Sequence, residues 1–197
     1  VRPTTEGERA LLRLADATIR HALATGRRAD PDPTGLPAEL FEPGASFVTL
    51  TERGELQGCI GSMTPVRPLW SDVARNALAA AFDDPRMPAL TAAQFPRTTI
   101  GISVLSPLEP LPVTDRDDLL RRIRPGVDGL LVSAAGTRGT FLPSVWEELP
   151  EPTAFLDALW RKAGLRPGSW PAGLRVERYT TRSFEDPAPR PPVIAED

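Results

Sequence analysis

The 197-residue sequence contains one cysteine, Cys59, one histidine, His21, one lysine, Lys162, and two methionines. A single cysteine forbids an internal disulfide. With one histidine beside it, the chain also lacks the ligands for a multi-thiolate zinc or iron–sulfur centre, so neither metal nor cofactor is expected. No apolar run approaches the roughly 18 residues of a membrane span. The leading stretch, VRPTTEGERALLRLADATIR, is charged and helically patterned, unlike a signal sequence. These absences predict a cytoplasmic chain with no membrane partner, and a few residues are expected ahead of Val1. A net charge of -3 with the signs interspersed offers no broad basic field. Nucleic acid is therefore not an expected partner, and any contact through the arginines would have to be strongly salt-dependent. Arginine supplies 22 of the 23 basic residues, a bias that fits GC-rich coding and says little about function.

What is present suffices for a folded core: 41% of the residues are hydrophobic. The spacing of Leu11, Leu12, Ala15, Ile19, Ala22 and Leu23 predicts a helix over TEGERALLRLADATIRHALAT, opened by a Thr5…Glu8 capping box, with His21 on its solvated side. Residues 25–44 read as a long loop rich in Gly, Pro and Asp. Two β-type runs, 45–51 and 55–61, joined by a tight polar turn, predict a hairpin whose alternation sets Gln57, Cys59 and Gly61 on one face and Leu56, Gly58 and Ile60 on the other. Gly58 and Gly61 weaken a strand unless a bend, another segment or a ligand comes close. RPLWSDVARNALAAAFDD predicts a second helix closed by Asp83-Asp84-Pro85. Two acids there oppose the helix dipole, so a compensating partner such as Arg86 is expected.

Further on, TTIGISVLSPLEPL is an alternating strand and TDRDDLLRRI a short capped helix. DGLLVSAAGTRGTFLP predicts a second hairpin, with strands over 130–134 and 138–142, and the two hairpins are expected to share one open antiparallel sheet. TAFLDALWRKAGL is the last clear helix, and residues 174–181 the final strand. Residues 186–197 carry too much proline and too little apolar material to pack, and read as a disordered tail. Deletion of residues 187–197 is expected to leave the melting temperature nearly unchanged.

The segments LQGCIG, DDPRMPAL, TIGISVLSPLE, GVDGLLV, RGTFLPSVWEE and FLDALWRKAGL follow one another in the order found in the AMMECR domain family, and by them the chain is identified as a member, in the group of the AmmeMemoRadiSam system protein A. The resemblance implies an α+β fold of two closely fused lobes over residues 1–185. A mostly antiparallel sheet is flanked by helices, and a cleft lies between the lobes. The family's hexapeptide usually reads Leu-Arg-Gly-Cys-Ile-Gly, so Gln57 stands where a permanent positive charge is usual. If the Cys59 thiol reacts, its activating charge then comes from elsewhere, and Arg86 and Arg138 are the candidates.

Family association implies Memo-type and radical-SAM proteins as partners. Memo-type proteins are similar to extradiol ring-cleaving dioxygenases, whose products are electrophilic unsaturated carbonyl acids. This points to a small-molecule isomerase or cyclase: Cys59 is the nucleophile, Glu147 a general acid or base, and Arg138 the carboxylate clamp. Gln57, Gly58, Gly61 and Arg86 border the substrate. The competing reading is a non-catalytic module whose cleft binds a ligand or a partner protein. The two diverge on whether Cys59 meets a polar or charged partner at a surface or is sealed in the core, where free cysteines are commonest.

Overall fold

The computed structural model describes residues 2–134 and 136–194. Helix α1 (Thr5–Thr25) begins one residue earlier in its logic than the sequence suggests. Thr4, in extended conformation, is the N-cap, and its hydroxyl accepts the Gly7 amide at 3.2 Å. The Thr5…Glu8 box does not form, because Thr5 is already helical and Glu8 is paired with Arg182. Gly26, at φ 69°, closes the helix and returns its N–H to the Ala22 carbonyl, a left-handed stop that glycine adopts at little cost. The loop that follows holds a short 3-10 turn at Ala38–Phe41 and strand β1 (Pro43–Gly44).

The hairpin is present as β2 (Ser46–Glu52) and β3 (Glu55–Gly61). Strand β4 (Arg67–Pro68) pairs with β1 and leads into α2 (Leu69–Phe82). After β5 (Thr98–Leu105) the chain enters a second unit. That unit contains β6 (Glu109–Pro110), α3 (Arg116–Arg122), β7 (Gly129–Ala134), β8 (Thr137–Phe141), α4 (Val145–Glu148), α5 (Pro152–Lys162) and β9 (Arg175–Tyr179). Strand β10 (Thr181–Asp186) then brings the chain back to the first sheet. The chain thus folds as two units, residues 1–105 with 182–197, and residues 106–181.

In the first unit the strand order is β10-β5-β2-β3, and β2 pairs antiparallel with both of its neighbours. Ser46, Val48 and Leu50 of β2 are buried while Phe47, Thr49 and Thr51 are half-buried, so the sheet has one core face and one lighter face. Helices α1 and α2 contribute Leu11, Ile19, Leu69, Val73 and Ala77 to a core shared with Val48, Leu50, Ile100 and Ile102. In the second unit the order is β6-β9-β7-β8, and Leu119, Leu130, Val132, Phe155, Leu159 and Trp160 form the centre. There the Trp146 and Phe155 rings stack at 3.7 Å.

Three expectations change. The two hairpins lie in different sheets rather than one. The final strand is two, β9 and β10, because the chain leaves one sheet at Tyr179 and joins the other at Thr181. The tail reading also fails for residues 187–194, for a physical reason that counting apolar residues cannot reveal. Arg190 is buried, donates to the Thr98 carbonyl, and pairs with Asp16 at 2.8 Å and Asp186 at 2.9 Å. The Arg190 N–H reaches the Pro96 carbonyl at 3.0 Å, and Arg20 donates to the carbonyls of Pro191 and Pro192. A segment with little apolar surface is thus held by one desolvated guanidinium and its backbone bonds. Residues 195–197 and Ala135 of the second hairpin turn lie outside the described residues.

Candidate functional site

Cys59 lies on β3, the edge strand of the first sheet, and is half-buried rather than sealed. Its register partner is Thr49, whose partner on β5 is Gly101, so one row across three strands reads Cys59, Thr49, Gly101 on the lighter face. The Thr49 hydroxyl donates to the Cys59 sulfur at 3.2 Å. A side chain at Gly101 would meet nothing closer than 3.7 Å, which leaves the end of that row open.

An edge strand exposes unpaired N–H and C=O groups. At Cys59 both are taken by the turn that follows α2. The Asp84 carboxylate accepts the Cys59 N–H at 2.8 Å, and Arg86 Nη2 donates to the Cys59 carbonyl at 3.1 Å. Asp84 and Arg86 in turn hold each other, Nη2 to Oδ2 at 2.7 Å and Nε to Oδ1 at 2.9 Å. The Asp84 side chain is 2% exposed and the Arg86 side chain 56%. The hydrogen bond from Arg86 keeps the Asp84 carboxyl well below the usual carboxylate range, with the Cys59 and Arg86 backbone amides adding to it against the opposing effect of burial. The Arg86 pKa is raised, chiefly by the hydrogen bond to Asp84, with the charge of Asp84 adding to it against the opposing effect of burial. Through its bond to the Cys59 carbonyl, the guanidinium stands beside the residue that carries the thiol.

Gln57 is buried beside this bracket and clamps the loop beyond it. Its amide nitrogen donates to the Pro88 carbonyl at 2.9 Å, and its oxygen accepts from Gln94 at 3.3 Å. The β2–β3 register steps from Leu50↔Gly58 to Thr51↔Leu56, leaving Gln57 as the extra residue of a bulge. The strict alternation that would set Gln57 and Cys59 on one face is interrupted there. Gly58 and Gly61, expected to admit a substrate, instead admit the chain's own atoms. A Cβ on Gly58 would lie 1.9 Å from the Ala80 carbonyl oxygen, and one on Gly61 would lie 2.2 Å from the Phe47 ring.

The structure therefore brings Cys59, Gln57, Gly58, Gly61 and Arg86 together in the first unit. Arg138 on β8 and Glu147 on α4 belong to the second, where both are exposed. Two residues not singled out for the site belong to it, Thr49 and Asp84. Asp84 left a sequence signal, since the two acids at the helix end called for a partner and Arg86 is that partner for Asp84; Asp83 takes Arg28. Thr49 left none beyond its place on the strand opposite. Among the described residues no group of three or more His, Cys, Asp or Glu side chains is arranged to hold a metal ion, and no helix is long and apolar enough to cross a membrane.

An α+β protein with a half-buried thiol on an edge strand, bracketed by an Asp–Arg pair, is the class these features define. The model of the AMMECR1 family matches residues 12–184, and the chain belongs to that family. It is 35% identical to a protein of Thermofilum pendens, over 93% of this chain and 92% of that one. It is 36% identical to Protein PF1979 of Pyrococcus furiosus, over 93% and 90%. The crystal structure of the uncharacterized protein PH0010 from Pyrococcus horikoshii is similar with a TM-score of 0.88 at 34% identity, covering 98% of both chains.

Proposed function

We propose that the protein catalyses reversible thiol addition to an α,β-unsaturated carbonyl acid, acting as an isomerase or cyclase that needs no cofactor. The observation that carries this reading is the setting of Cys59: a half-buried residue whose sulfur receives a hydrogen bond from Thr49 and whose carbonyl is held by the Arg86 guanidinium. In the forward step the thiolate forms a C–S bond at the β-carbon, and the π electrons move to the carbonyl oxygen as an enolate. The former double bond is then single and rotates. Collapse of the enolate restores the double bond and expels the thiolate, so no electrons are gained or lost. The Thr49 hydroxyl stabilises the charge on sulfur before addition and after expulsion. Arg86, with its side chain more than half exposed, offers an N–H edge to the substrate carboxylate.

A Memo-type ring-cleaving partner would supply such a substrate. The test uses (Z)-4-oxopent-2-enoic acid, with conversion to the E isomer followed by NMR. Wild-type protein is expected to accelerate conversion. Cys59→Ser is expected to lose that acceleration while keeping a wild-type circular dichroism spectrum, and iodoacetamide should modify native Cys59. Alkylation only after unfolding would overturn the thiol reading and leave a non-catalytic binding module.

A further inference from the structure

A cavity of about 520 Å3 opens in the first unit between α2, the loop after α1 and the end of β3, where Gly61 lines it and Cys59 does not. Its polar walls are Arg28, Asp30, Ser62, Arg67, Arg75, Asp83 and Asn76, the last with its amide nitrogen already bonded to Ser46 and Asp72. We propose that this cavity is a binding site for a small oxyanion, a carboxylate or a phosphate, held by Arg67 and Arg75.

The argument rests on which hydrogen-bonding groups are already spent. Arg28 and Asp83 close on each other through two bonds of 2.6 and 2.9 Å, so neither has much left for a ligand. Arg67 differs. Among the described residues only its Nη1 is engaged, at 2.9 Å on Asp72 Oδ1, and Asp72 is completely buried. That carboxylate also accepts from the Ser46 N–H at 2.9 Å, the Ser46 hydroxyl at 2.8 Å, the Ser62 hydroxyl at 2.8 Å and the Asn76 amide at 2.9 Å. A fully ligated, immobile acid thus fixes one arm of Arg67, while the rest of the guanidinium stays in the cavity wall with its side chain 33% exposed. Such fixation by a buried partner is how binding sites hold a guanidinium ready for a ligand.

Arg75 follows Asp72 by one turn on α2, is exposed, and makes none of the described hydrogen bonds or ion pairs. The unspent capacity of the cavity is therefore overwhelmingly N–H donors on two planar cations, the geometry that pairs with carboxylate and phosphate oxygens. Asp83 is an acid already paired with Arg28, which leaves Asp30, exposed and without an ion pair among the described residues, as the opposing charge not offset by a partner. Its presence predicts a modest affinity that its removal would raise.

The test uses the full chain, with inorganic phosphate and succinate titrated separately in calorimetry at constant ionic strength set by chloride. Saturable binding of either anion at millimolar concentration is expected, and the ratio of the two affinities assigns phosphate or carboxylate chemistry. Arg75→Ala, at an exposed position with no partner to lose, should weaken binding at least tenfold without shifting the melting temperature. Asp30→Asn should tighten it severalfold. The proposal fails if wild-type protein shows no saturable heat above the chloride control, or if Arg75→Ala binds as tightly as wild type. Because none of these variants touches Cys59, failure here leaves the thiol reading standing, and the converse holds.

Discussion

Replacing Gly58 by alanine tests the packing that positions the site. The added Cβ would lie 1.9 Å from the Ala80 carbonyl oxygen and 3.0 Å from the carbonyl carbon, whereas real Cβ atoms essentially never come within 3.0 Å of another heavy atom. The obstacle is backbone, not the flexible end of a side chain, so either β3 or the last turn of α2 must retreat by about 1 Å. Helix α2 cannot tilt freely to allow this. Leu69, Val73, Ala74, Ala77, Ala80 and Ala81 are all buried along its length, and Asp72 is tied to Ser46 and Ser62. Overpacking by one methyl typically costs about 1–3 kcal/mol, and a rigid backbone obstacle puts this site at or above the upper end. With a urea m-value of about 2 kcal/mol/M, a loss of about 3 kcal/mol lowers the midpoint by about 1.5 M.

Three of the four tryptophans, Trp146, Trp160 and Trp170, report on the second unit, so their fluorescence would miss the event. Hydrogen exchange of peptides spanning 55–61 and 69–82 is the appropriate readout, with circular dichroism for the global midpoint. Protection should fall in both peptides in Gly58→Ala and should stay at wild-type values across 129–141. A midpoint within 0.3 M of wild type by this roughly m-scaled measure would refute the close-approach argument and reopen Gly58 as a ligand position.

Deleting residues 187–197 should lower the melting temperature by several degrees, and Arg190→Ala should account for most of that loss, at or below the roughly 3–5 kcal/mol of a fully buried broken pair; calorimetry decides, and an unchanged transition would mean the segment is only laid on the surface. Asp84 has a folded pKa below its unfolded value, so its contribution to stability is complete above about pH 4 and is lost as pH falls further, through the folded value. The stability difference between wild type and Asp84→Asn should accordingly be constant from pH 5 to 8 and shrink below about pH 4. A difference that grows on acidification would reverse the assignment.

The elements carried by periodicity were legible. Helices α1 and α2, the β2–β3 hairpin and β5 follow from residue spacing alone, since each buries one stripe or one face. What resisted was governed by distant partners. Thr4 rather than Thr5 caps α1, and Thr4 is itself held by Glu39 at 2.7 Å from beyond the next loop. The choice at Gly58 among a bend, a segment and a ligand depends on where Ala80 arrives, 22 residues later in the sequence numbering. Arg190 looks like a tail residue until Asp16, 174 positions earlier, is placed beside it.

The same distinction explains why a thiol on an edge strand can be both well placed and accessible. Pairing β3 with a further strand would satisfy the Cys59 peptide but would also cover the edge along its whole length. Asp84 and Arg86 satisfy that one peptide with side-chain atoms, anchored where α2 ends, and so hold Cys59 without laying backbone beside it. The bracket also sets the local charge. Asp84 is nearly fully buried and offsets much of the Arg86 charge, so the guanidinium held at the Cys59 carbonyl is a paired cation rather than a free one. Arg86 is the cation that the described hydrogen bonds place at Cys59, through its bond to the Cys59 carbonyl. Under the thiol-addition reading, Asp84→Asn should therefore loosen the position of Cys59 and strengthen the cation acting on it at once. Its signature is a faster alkylation rate together with slower turnover of the unsaturated acid, whereas a purely structural role for Asp84 would slow turnover and leave the alkylation rate of the folded protein unchanged.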